Sequence, residues 1–154
     1  MTGSRLDPWA DSYAARAHNM RASEIRALFA VASRPEVVSL AGGMPFVQAL
    51  PVEMLASTAQ RLLYERGAQA LQYGSGQGDV TLREQILEVI GEVGVTAHPD
   101  DIVVTTGSQM ALDLVTRVFC DPGDVVLVEA PSYVGALGVF RAYECDVVHV
   151  AMDD

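Results

Sequence analysis

Lysine is missing altogether: all ten basic positions among the 154 residues are arginine. Chemistry that needs a lysine amine, as nucleophile, carbonyl trap or base, is therefore excluded for this chain by itself. Cysteine is scarce too. Cys120 and Cys145 each sit in an apolar run with no C-x-x-C or His/Cys cluster, which predicts two reduced core thiols rather than a disulfide framework. The three histidines, His18, His98 and His149, are scattered without H-E-x-x-H spacing, so a metal centre is not expected. His149 falls in a strand pattern and reads as structural. Positive charge is in short supply, with twenty acids giving a net charge of −10 and a pI near 4.6. Such a chain repels a phosphate backbone, which argues against nucleic acid as a partner. Long apolar runs are also lacking: the longest, Ala27 to Ala32, is far too short to span a bilayer, and Met1 to Asp11 has neither a basic start nor an apolar h-region. A cytoplasmic protein with no membrane partner is expected.

What is present is the composition of a globular domain, half hydrophobic and 19% charged. Residues 1–50 differ from the rest and read as an N-terminal arm with one short helix, Ser23 to Ala32, ending before Pro35, followed by an extended Val37 to Leu40 and a Gly42-Gly43-Met44-Pro45 turn. Residues 51–154 carry alternating helical and strand patterns. Met54, Leu55, Ala59, Leu62 and Leu63 recur at helical spacing, and Gly67 supplies a stop signal. Thr81 and Glu84 have the spacing of a capping box for a second helix that ends near Gly94. The period then changes. Ile102 to Thr106 is a continuous β-branched run, which predicts a strand covered on both faces. A helix from Ser108 to Cys120 follows, with Ala111, Leu112, Val115, Val118 and Phe119 on one side. Asp121-Pro122-Gly123-Asp124 suits a turn, Val125 to Glu129 a second strand, Tyr133 to Tyr143 a helical segment, and Asp146 to Val150 a third strand.

The order β-α-β-α-β predicts an α/β fold, three-layer α/β/α, with a parallel or mixed sheet and right-handed crossovers. Three buried-type strands leave two open edges, and the last is followed at once by Asp153-Asp154. That predicts a sheet that continues beyond this sequence, a C-terminally incomplete domain, and an isolated chain that aggregates or needs a partner.

In an open parallel sheet, ligands sit beyond the carboxyl ends of the strands. Thr105-Thr106-Gly107-Ser108-Gln109 leaves the first predicted strand there: glycine allows a sharp turn, and the helix behind it points free N–H groups and its positive dipole end outward. A phosphate or carboxylate is the natural guest, with Ser108 either donating its hydroxyl to it or serving as a plain N-cap. Glu129-Ala130-Pro131-Ser132-Tyr133 brings an aromatic ring to the same rim, for stacking or for packing. Gly74-Ser75-Gly76-Gln77-Gly78 follows no strand and precedes no Gly-Lys-Ser/Thr, so neither a dinucleotide fingerprint nor a P-loop fits; it reads as a loop from which Tyr73 projects.

Six segments in this order carry a family resemblance: Ser39-Leu40-Ala41-Gly42-Gly43-Met44-Pro45, Leu71-Gln72-Tyr73-Gly74, Gly78 to Leu82-Arg83, Thr105 to Gln109, Asp121 to Asp124, and Glu129 to Tyr133. Together they resemble the class I/II aminotransferases of fold type I, which use pyridoxal 5'-phosphate, in particular the 2-aminoadipate and kynurenine-type members. The resemblance implies an N-terminal arm (1–50) followed by the first part of the large cofactor-binding domain (51–154). It implies that Gly107, Ser108 and Gln109 hold the cofactor phosphate, that Tyr133 stacks on the pyridine ring, and that Tyr73 reaches the phosphate of a neighbouring subunit in a homodimer. Gly43 would lie along the substrate α-carboxylate. Arg26 in the arm helix would read a side-chain carboxylate, or else be a solvated surface arginine. The implied reaction moves an amino group between an α-amino acid and a 2-oxo acid. The family's mechanism needs a Schiff-base lysine, which this chain lacks, so no catalytic residue is assigned and the chain alone is expected to be inactive. The alternatives are the cofactor-binding effector module of a GntR-type transcription regulator, or a non-catalytic remnant.

Overall fold

The computed structural model describes residues 9–19, 28, 31, 32, 34–38, 40 and 45–153. Within the expected arm helix, Leu28, Val31 and Ala32 are helical; Gly43 and Arg26, the two assigned substrate contacts, lie outside the described residues. The chain divides into two compact units, Gly43–Thr105 and Met1–Gly42 with Thr106–Asp154. No described helix is long and apolar enough to cross a membrane.

The unit Gly43–Thr105 is helical. Helix α1 spans Val52–Ala70 with Glu53 in its first turn, where a carboxylate complements the helix dipole. Gly67 does not stop it. Arg66 leaves helical geometry (φ −137°, ψ 21°), so the disturbance is absorbed as a kink and the helix resumes for another turn. Helix α2 spans Val80–Gly91, and its cap is Asp79, whose carboxylate accepts the Leu82 N–H at 3.1 Å, rather than the expected Thr81. Beyond α2 the chain turns through Gly94 (φ 86°), and the Val95 N–H closes onto Ile90 O at 3.2 Å, the six-to-one bond of a Schellman end.

The expected strand Ile102 to Thr106 is not a strand. It has no ladder partner among the described residues, and a β-branched run without one stays an extended segment however strong its propensity. Its backbone is spent on the glycine loop, where the Val104 N–H donates to Gln77 O at 2.8 Å. Gln77 also gives its side-chain amide to Asp100 O at 3.0 Å. The buried Arg83 completes this clamp, donating to Pro99 O at 2.7 Å and to Asp100 Oδ1 at 3.2 Å. Gly78 sits at φ 103° with room for nothing larger: a Cβ there would lie 2.6 Å from Val104 Cγ2. The loop read as a support for Tyr73 thus also grips residues 100–104.

The second unit carries the sheet. Helix α3 spans Gly107–Phe119, strand β1 Val125–Ala130, helix α4 Val134–Ala142 and strand β2 Asp146–Ala151. β1 and β2 pair in parallel, in register from Val125 with Asp146 to Ala130 with Ala151, as the β-α-β pattern predicts. Among the described residues two strands form where three were expected. The link from α3 to β1 is the predicted turn: Asp124 N–H donates to Asp121 O at 3.0 Å, with Gly123 at φ 89°. Val128, Val139 and Cys145 form the buried apolar centre. Both cysteines are free; burial, helped by the neighbouring Cys120 and the carboxylates of Asp124 and Asp146, pushes the Cys145 thiol above its usual range and keeps it protonated.

The apolar side expected for α3 is only partly used. Leu112 is half-buried, but Val115, Val118 and Phe119 are exposed, and the fully buried position is Thr116. Its hydroxyl returns to Leu112 O at 2.8 Å, which satisfies the polar group and makes its burial tolerable.

Candidate functional site

The first turn of α3 builds the site. Thr106 takes the cap position without a side-chain capping bond, and Gly107, Ser108 and Gln109 are the first three helical residues. The reading of Ser108 as a plain N-cap is therefore replaced: it lies one residue inside the helix from Gly107. N–H groups in the first turn of a helix have no carbonyl of that helix to meet, so those of Ser108 and Gln109 and the aligned peptide dipoles favour an anion in front of them. No acidic residue occupies this first turn, and no carboxylate of the helix itself competes for the place.

Glycine is needed at 107 for conformation, not for space. Its φ is 74°, in the left-handed region, while nothing lies within 4 Å of a Cβ built there. The open space beside Gly107 leaves the start of the helix approachable. Ser108 is exposed at this edge and its hydroxyl forms no hydrogen bond among the described residues.

Tyr133 arrives from the other side. It caps α4, three residues beyond the carboxyl end of β1, and is 62% exposed. Gln109 ties the two helix starts together, its side-chain amide donating to Gly135 O at 3.1 Å. A Cβ on Gly135 would meet Tyr133 Cε1 at 2.5 Å and Gln109 Oε1 at 2.6 Å, so both side chains lie on that glycine. Gly135 is the residue that sequence reasoning overlooked; the available signal was a glycine inside a helical pattern, which marks a close approach as often as a break.

The structure thus brings Gly107, Ser108, Gln109 and Tyr133 to one edge of one unit. Tyr73 belongs to the unit Gly43–Thr105, where it follows α1, is 99% exposed and borders a cavity of about 930 Å³ together with Arg66 and Asp79.

The sequence model of the family Aminotransferase class I and II matches residues 35–154. The aromatic-amino-acid aminotransferase 1 of Thermococcus litoralis is 42% identical over 92% of this chain and 34% of its own length. The 2-aminoadipate transaminase of Thermus thermophilus is 44% identical over 86% of this chain and 32% of its own. Among solved structures, Pyrococcus horikoshii kynurenine aminotransferase in complex with PMP superposes with a TM-score of 0.86 at 38% identity, over 98% of this chain and 37% of that one. The chain spans about a third of the length of the curated relatives it matches.

Proposed function

Because the chain belongs to the class I and II aminotransferase family, with the α/β architecture of its fold type I members, we propose that these residues supply the phosphate-gripping and ring-stacking part of a pyridoxal 5'-phosphate site in an enzyme that moves an amino group between an α-amino acid and a 2-oxo acid. The observation that carries this reading is the start of α3: a left-handed Gly107 opening a helix whose first turn holds Ser108 and Gln109 and no acid, with Tyr133 beside it. These residues fit a phosphorylated pyridine. Backbone N–H groups and the Ser108 hydroxyl take the dianion, and the Tyr133 ring offers a flat face. Gln109 orients that face by anchoring Gly135.

When bound, pyridoxal phosphate supplies an electron sink for charge that develops at the substrate Cα. The chain's own part is to hold it by its phosphate. The amine that grips the cofactor aldehyde and moves the Cα proton is not among these residues, since none is lysine. Tyr73, almost wholly exposed, is assigned to the phosphate of a neighbouring copy, which makes a homodimer the working assembly. Gly43 is assigned to the substrate α-carboxylate and Arg26 to a side-chain carboxylate. A cytoplasmic location is part of the same reading.

Titration with pyridoxine 5'-phosphate, which lacks the aldehyde, tests the site. Ser108→Ala is expected to weaken its binding about tenfold, the scale of one hydrogen bond to a charged group, without altering the circular-dichroism spectrum. Equal binding of pyridoxine with and without its phosphate would contradict the reading.

A further inference from the structure

At the opposite end of α3, about 15 Å from Gly107 by helix rise over ten residues, lies a second cavity in the same unit, of about 470 Å³. Its size falls in the range of small-molecule sites. Four charged residues line it, Arg16, Asp113, Arg117 and Glu144, with Pro122 and Ala142 as apolar wall.

Two of those charges are already matched. Arg117 donates from Nη2 to Asp113 Oδ2 at 2.8 Å and from Nε to the Tyr143 hydroxyl at 2.8 Å, and that hydroxyl donates to Asp113 Oδ1 at 3.0 Å. This closed ring fixes one side of the cavity, and the bonds to Tyr143 and Asp113 raise the proton affinity of Arg117 further. The other two charges are unmatched. Arg16 and Glu144 form no ion pair among the described residues, with each other or with anything else. Among the described residues the wall thus presents one cation and one anion that form no ion pair with each other.

Glu144 is also held in an unusual conformation. Among the described residues it is the one non-glycine with positive φ, at 59°. It ends α4 in the same way that Gly94 ends α2: the Cys145 N–H closes onto Phe140 O at 3.0 Å. This position favours glycine, because a side chain there crowds its own carbonyl. Glutamate at this position sacrifices backbone ease and places a carboxylate on the cavity wall, a conflict of the kind that accompanies functional sites.

We infer that this cavity binds a small zwitterion of the α-amino acid class, with Arg16 taking its carboxylate, Glu144 its ammonium group, and Pro122 and Ala142 its side chain. A molecule carrying only one of the two charges satisfies half of the site and leaves the other group unmatched. The site is separate from the start of α3 and does not depend on the cofactor reading.

L-valine is the probe, with 3-methylbutanoate and isobutylamine as analogues lacking one charge each, all measured by isothermal titration calorimetry on the chain. Saturable binding of valine is expected, with both analogues weaker by at least about tenfold. Glu144→Gly relieves the left-handed strain, so its melting temperature is expected to rise by about 2–4 °C while valine affinity falls at least about tenfold. That combination separates the proposal from misfolding, since the variant that loses the ligand is the more stable protein. Arg16→Met is expected to lose valine affinity to a similar extent. Absence of valine binding to the unsubstituted chain, or valine binding that survives Glu144→Gly and Arg16→Met, would overturn the inference.

Discussion

Replacing Gly107 by valine is expected to abolish measurable binding of pyridoxine 5'-phosphate while leaving most of the chain folded. The reason is conformational. Gly107 sits at φ 74° with no atom within 4 Å of a built Cβ, so a Cβ there meets no neighbour and the effect of the substitution falls chiefly on the backbone. An ordinary L-residue pays roughly 1–2 kcal/mol in the left-handed region, and a β-branched one more. The first turn of α3 escapes that strain by rotating Gly107 back, which turns its N–H and those of Ser108 and Gln109 away from the anion. Alanine at the same position is expected to give an intermediate loss, about tenfold. Calorimetry with pyridoxine 5'-phosphate on both variants, with circular dichroism as the control for helix content, measures the series. Full affinity in Gly107→Val would mean that the start of α3 plays no part in anion binding.

The second large effect is one of kind. Incubation of the chain with pyridoxal phosphate followed by borohydride is expected to add no cofactor mass to any side chain, because no lysine is present to be trapped. Only the α-amine at the N-terminus can react, and acetylating it beforehand should reduce the adduct count to zero. In the same preparation no amino acid should be converted to its 2-oxo acid. The non-covalent binding proposed for the start of α3 is compatible with this result, since it would use backbone N–H groups and the Ser108 hydroxyl rather than an amine. Intact-mass spectrometry after reduction, and peptide mapping of any adduct found, give the answer directly. A borohydride-trapped side-chain adduct would require a primary amine that no side chain of this sequence carries.

The parts of the fold set by local chemistry were legible before the structure. The Asp121-Pro122-Gly123-Asp124 turn, the helices at α2, α3 and α4, and the parallel pair of β1 and β2 all follow from turn residues and from periods of 3.6 and 2 within short windows. Features that depend on a distant partner were not. Ile102 to Thr106 has the composition of a buried strand, yet Val104 gives its N–H to Gln77, more than twenty residues away. Gly67 carries a stop signal, but a glycine weakens a helix by about 1 kcal/mol without ending it, and the break falls on Arg66 instead. Thr81 and Asp79 both offer capping oxygens, and the choice of Asp79 is made by where the loop enters α2.

The site divides along the same line. Gly107, Ser108 and Gln109 are contiguous, and their chemistry is that of any helix start, so the sequence exposes them. Tyr133 could be read only as stacking or packing until its ring was placed over Gly135 beside Gln109. Glu144 gives no turn signal, since glutamate is not among the residues enriched at positive φ; its conformation becomes visible only with the backbone.

Amide-resolved NMR during titration with pyridoxine 5'-phosphate tests the anion-cradling role of α3 most directly. The Gly107, Ser108 and Gln109 N–H resonances should move downfield together and saturate at one common affinity, with the Tyr133 ring protons shifting in step. Saturating shifts confined to other residues, with these three amides unmoved, would contradict it.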